Sequence, residues 1–88
     1  MITNDYIILA PQGIHARPAT MLIRLVKNFR SAVSLKKGDK TVRLNSMLNI
    51  LSLTIKGGET ITVIVEGDDE VEAAQAIALF FTEQLKDL

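Results

Sequence analysis

Residues 32–44 read AVSLKKGDKTVRL, and this stretch decides the fold. Apolar and polar side chains alternate on either side of Gly38-Asp39, the period of a strand that buries one face only. Glycine at the first central position of a two-residue connection tolerates the positive φ of a tight hairpin turn. The stretch predicts an antiparallel hairpin, and half-buried strands of this kind need helices over one face while the other stays wet.

Upstream of the hairpin the spacing is helical. Ala19, Leu22, Ile23, Val26 and then Phe29 or Arg30 recur every three or four residues, so a helix is expected from about Ala16 until NFRSA ends it. Before it, YIILAP (Tyr6 to Pro11) is a short apolar run rich in β-branched residues, read as a buried strand that Pro11 terminates. Downstream, NSMLNILSL offers Asn45 or Ser46 as the N-cap of a short helix carrying Met47, Leu48, Ile50 and Leu51. The loop TIKGGE follows, then TITVIVEG, a strand that alternates Ile61, Val63 and Val65 against Thr60, Thr62 and Ile64 and stops at Gly67. In the final segment Asp69 and Glu72 have capping-box spacing, and Val71, Ala74, Ile77, Ala78, Phe81 and Leu85 are expected to line one helix face. The order β-α-β-β-α-β-α implies an α+β fold, with a four-stranded, mostly antiparallel sheet and three helices on one face.

The chain has 88 residues, 48% of them hydrophobic, which predicts a single domain over 1–88 with one core. Ten basic and ten acidic residues cancel, so no global field attracts nucleic acid or an anionic membrane. There is no cysteine, which excludes disulfides and thiolate metal sites and fits a reducing compartment. No signal peptide or membrane span is read, so a cytoplasmic protein is expected.

The chemistry converges on GIHARPAT, residues 13–20, which holds the only histidine. His15 precedes a helix start, where unpaired backbone N–H groups and the macrodipole favour an anion. Pro18 suits the first turn because the N–H it lacks would have no partner there. Arg17 adds a guanidinium able to hold two oxygens of a tetrahedral anion. Gly13 either permits an unusual turn or clears space for a docking protein. The helix start and Arg17 both bring positive charge to His15, and neutral imidazole is the nucleophilic form. The residues describe a phosphate-binding corner around a nucleophile. With one histidine and no cysteine, no metal site is expected, and no cofactor signature is present.

GIHARPAT, together with the chain length, element order and NSMLNILSL, resembles the HPr family, the histidine-containing phosphocarriers of the phosphoenolpyruvate-dependent phosphotransferase system. The resemblance implies an open-faced β-sandwich and a carrier rather than an enzyme. Enzyme I would phosphorylate Nδ1 of His15, and an enzyme IIA would accept the group. Arg17 would orient the phosphohistidine, with Ala16 and Pro18 completing the phosphate site. Met21, Arg24, Lys27, Met47, Leu48 and Leu51 would form the docking surface, and a monomer is expected. Ser46 is the position that a serine kinase phosphorylates in some members, although its simplest role is to cap the short helix. Asn45 and Thr54 differ from the lysine and glycine frequent in the sugar carriers, and NSMLNILSLTIKGG is similar to the nitrogen-related branch. A regulatory binding module that signals by its phosphorylation state is therefore the alternative.

Overall fold

A computed structural model describes all 88 residues. The strands are β1 (Ile2–Ile7), β2 (Ala32–Lys37), β3 (Lys40–Arg43) and β4 (Thr60–Glu66), and the helices α1 (Ala16–Val26), α2 (Met47–Leu51) and α3 (Glu70–Leu79). They form one antiparallel sheet in the order β1-β4-β2-β3, so β1 and β2 run the same way on either side of β4. Three helices cover one face, the architecture expected of an open-faced sandwich.

The hairpin turns at Gly38, with φ at +60°, and pairs Lys37 with Lys40, as the alternation requires. The central strand β4 points Ile61, Val63 and Val65 into the core between Val33 and Leu35 of β2 and the helices. Leu22 of α1, Ile50 of α2 and Ile77 of α3 close over them. Burying each such side chain contributes about 1.5–3 kcal/mol relative to leaving it in water, so this interior holds the sheet and helices together.

Two sequence expectations need correction. The first strand is not Tyr6 to Pro11: it begins at Ile2 and ends at Ile7. Thr3, Asn4 and Asp5 form half of an edge strand with one wet face, where Asp5 accepts a hydrogen bond of 2.6 Å from the Thr62 hydroxyl. Ile8 and Ala10 are buried beyond its end, but Ile7 and Leu9 face outward, so the run is not buried throughout.

The second correction concerns the C-terminal helix. After Leu79 it widens into a π-helical stretch, Phe80–Gln84, and ends in a tight 3₁₀ turn, Leu85–Asp87. The wider stretch breaks the 3.6-residue period and brings two consecutive rings, Phe80 and Phe81, into the core. Phe81 stacks on Tyr6 at 5.0 Å between ring centroids and meets Phe80 edge-on at 5.3 Å. Ala73 is buried alongside Ala74, whereas Val71 is 54% exposed and stands outside the core. Nor does a capping box form: Asp69 occupies the N-cap, but its carboxylate turns to the α1–β2 connection. There it accepts from the Arg30 amide at 2.8 Å, the Ser31 amide at 2.9 Å and the Ser31 hydroxyl at 2.6 Å. Those bonds, the hydroxyl's first, hold the Asp69 carboxyl below its ordinary range.

Candidate functional site

His15 is the N-cap of α1, with extended backbone at φ −97°. Its carbonyl accepts the Ala19 amide at 3.0 Å, and its side chain makes no capping bond. The imidazole is therefore free of a structural duty at the helix start. Pro18 is buried in the first turn, where it fixes the backbone without losing a hydrogen bond. The amides of Ala16 and Arg17 head the helix, where no preceding turn supplies an acceptor.

The loop before the histidine is seated on another. Gly13 has φ of +72° and its amide donates to the Ala10 carbonyl at 2.9 Å. A β-carbon there would run into the Ile55 carbonyl and approach the Lys56 α-carbon to 2.7 Å. The Ile14 amide donates to that same carbonyl at 3.1 Å. Gly13 is thus required by its own chain's close approach, which settles the choice between an unusual turn and space for a partner.

The seating orients the ring. Nε2 is enclosed and has no hydrogen-bond partner, so Nδ1 is the nitrogen left open for chemistry. In a neutral ring protonated at Nε2 the lone pair would lie on Nδ1, the arrangement a nucleophile needs. A phosphoryl group on Nδ1 would lie by the first-turn amides, which need an acceptor, and by Arg17, whose guanidinium is exposed and forms no ion pair. The cavity in the molecule lies elsewhere, at the C-terminal end of α1 beside Phe29 and Arg43. His15 is at a surface corner and not in a substrate chamber.

The structure packs α1 against α2, the two helices on or next to which the other sequence-derived positions lie. Met21, Arg24 and Lys27 are exposed along α1, and Arg24 and Lys27 have no acidic partner. On α2, Leu48 is 80% exposed and Leu51 36%, while Met47 is partly buried against the core. Ser46 caps α2: its hydroxyl oxygen accepts the Asn49 amide at 3.2 Å. Asn45 takes part in the same start, its side chain accepting from the Asn49 side-chain amide at 2.9 Å.

Sequence reasoning missed what supports the histidine loop from behind. Thr54, just after α2, has φ of +51°, a left-handed backbone that a β-branched residue rarely adopts. The conformation suited to glycine is kept here without the glycine. The only signal for it was Thr54 itself, marked in the sequence as a departure from the glycine that the resemblance implies.

Comparison with known proteins agrees with this fold. A family model described as the PTS HPr component phosphorylation site matches residues 2–83. The phosphocarrier protein HPr of Lysinibacillus sphaericus is 39% identical over 83 residues, 94% of each chain. The crystal structure of HPr-C-His from Thermoanaerobacter tengcongensis is 31% identical and superposes with a TM-score of 0.91 over 100% of this chain and 98% of that one. Crh, the catabolite repression protein of Bacillus subtilis, seen in a crystal as a swapped dimer, is 30% identical with a TM-score of 0.77 over 97% and 98% of the two chains.

Proposed function

Because the chain belongs to the HPr family, the phosphocarriers of the phosphotransferase system, we propose that it relays a phosphoryl group from phosphorylated enzyme I to an enzyme IIA through His15. The lone pair of Nδ1 attacks phosphorus, the bond joining the group to enzyme I breaks, and its electrons leave with the donor. The reverse sequence at an enzyme IIA empties the carrier. The observation that carries this reading is the enclosure of Nε2 beside an open Nδ1 at a helix start. Charge on the transferred group meets the Ala16 and Arg17 amides and the Arg17 guanidinium, while Pro18 holds the turn rigid. The exposed N–P bond stays easy to pass on, so the protein acts as a carrier and converts no free metabolite.

Docking falls to Met21 and Arg24 of α1, to Lys27 at its C-cap, and to Met47, Leu48 and Leu51 of α2. Exposed methionine and leucine suit a surface that serves several partners, and the unpaired cations steer an acidic one. We assign this work to residues 1–88 as one monomeric domain in the cytoplasm; no helix is long and apolar enough to cross a membrane. The test is incubation with phosphoenolpyruvate and enzyme I, followed by intact mass. One phosphate, lost in acid, kept in alkali and absent from His15→Ala, supports the relay. Substantial transfer to His15→Ala refutes it, and an unaltered rate in Arg17→Ala removes that residue from the site.

The likeness to Crh favours a second reading, a module whose output is regulatory. Phosphorylation of Ser46 by a serine kinase would add charge at the start of α2, beside the docking surface, and repel an acidic partner without unfolding the helix. Capture of enzyme IIA proteins by the immobilised chain supports the carrier, and capture of regulators alone supports the module. Unchanged enzyme I affinity in Ser46→Asp counts against control through Ser46.

A further inference from the structure

Lys37 ends β2, and its side chain reaches into the segment that follows α2. Its ammonium donates to the Thr54 carbonyl at 2.6 Å and the Leu53 carbonyl at 3.3 Å, and lies 2.9 Å from a carboxylate oxygen of Glu59. That same oxygen accepts the Lys56 amide at 2.6 Å. One ammonium thus ties both ends of residues 53–59 to the hairpin. The Lys37 bond is the main reason the Glu59 carboxyl titrates below its ordinary value, with the Lys56 amide second.

Three physical facts give this clamp a purpose. The Leu53 and Thr54 carbonyls lie beyond Ser52, the C-cap of α2, and Lys37 is the donor that satisfies both. A left-handed non-glycine residue persists only where its surroundings over-determine it, and Lys37 is bonded to the carbonyl of that residue. The next carbonyl, Ile55, is the one that receives the Ile14 amide and against which Gly13 is seated. The exposed ion pair alone contributes little, so the carbonyl bonds matter most.

We propose that Lys37 is a positioning residue for phosphoryl transfer at His15, holding residues 53–59 in the one shape on which the histidine loop seats with Nδ1 outward. It acts through the backbone and makes no hydrogen bond to His15. The inference rests on the carrier chemistry proposed above.

Lys37→Met keeps the apolar stem and removes the donors. In rapid-quench charging by enzyme I, kcat is expected to fall by roughly tenfold or more, since a displacement of about 1 Å can cost on the order of a hundredfold and a smaller one less. KM should stay within about twofold, because the docking residues are untouched. The ¹⁵N resonances of the His15 ring should move. Adding Thr54→Gly, which adopts the left-handed backbone without a clamp, should recover part of the rate at a temperature where both variants are fully folded by circular dichroism, so that the stability it adds is not what the rate reads. A wild-type kcat in Lys37→Met overturns the inference, as does a loss that Thr54→Gly leaves untouched. Should Lys37→Met fail to fold, Lys37→Gln, whose shorter neutral amide cannot serve both carbonyls, must still lower kcat and shift the ring signals or the inference falls. Failure of the unaltered protein to accept phosphate would remove the carrier reading instead, and the ring resonances would still report whether Lys37 sets the histidine.

Discussion

Replacing Thr54 by glycine should make the protein more stable. The left-handed backbone at φ +51° costs an L-residue roughly 1–2 kcal/mol relative to the right-handed region. Glycine escapes that cost but loses more freedom on folding, a penalty of about 0.5–1 kcal/mol. The difference leaves a net stabilisation of about 0–1.5 kcal/mol, whose central value of about 0.75 kcal/mol raises Tm by about 3–6 °C in a domain of this size. Thr54 is exposed, so little packing is lost with its side chain. Thermal unfolding followed by circular dichroism, with urea titration as an independent measure, reads the change. Thr54→Ala serves as the control, because it trims the side chain and keeps the β-carbon that the backbone resists. A glycine variant no more stable than the wild type, or an alanine variant that gains as much, would refute the claim that backbone strain is stored at this position.

Other substitutions probe the rest of the molecule. Ser46→Ala should cost about 0.5–2 kcal/mol in urea unfolding by removing the cap of α2, while Ser46→Asp should stay near the wild type because aspartate also caps. Leu22→Ala, at a fully buried position of α1, should cost about 2–5 kcal/mol and leave a molecule that still accepts phosphate when folded. Gly13→Ala forces a β-carbon against Ile55 in a left-handed backbone, so it should cost at least about 1–3 kcal/mol and slow charging as well. Asp69, Glu59 and Glu70 all titrate below their ordinary values of 3.8, 4.5 and 4.5. A carboxyl depressed by folding contributes stability that is present above its unfolded value and lost as pH falls through its folded value. Tm should therefore decline below about pH 4.5, and Asp69→Asn should begin lower at neutral pH and decline less steeply.

The legible parts of the fold are those where local pattern and tertiary environment agree. The hairpin and β4 show clean alternation because one face of each is buried and the other wet, and α1 shows its stripe because only one side meets the sheet. The first strand is obscured by Thr3, Asn4 and Asp5, whose polarity is paid for by an edge position and by the Thr62 hydroxyl from another strand. On the C-terminal face Ala74, Ile77, Phe81 and Leu85 are buried as their spacing implies, but Val71 is exposed, and the burial of Phe80 goes unread because the π-helical stretch departs from the 3.6-residue period. At the site, His15 with its proline, arginine and glycine is legible because helix-start chemistry is local. Lys37 is not, since its bonds to Leu53 and Thr54 cross 16 and 17 residues and follow only once the hairpin has been folded onto the end of α2.

The enclosed Nε2 has a kinetic consequence for the proposed relay. With one ring nitrogen buried, donor and acceptor must use the same doorway, so neither can wait on the protein while the other is served. No ternary complex forms, and turnover must follow ping-pong kinetics with parallel double-reciprocal lines. An excess of acceptor then becomes an inhibitor: by occupying the empty carrier it delays the next charging, and throughput passes through a maximum set by the ratio of the two partners.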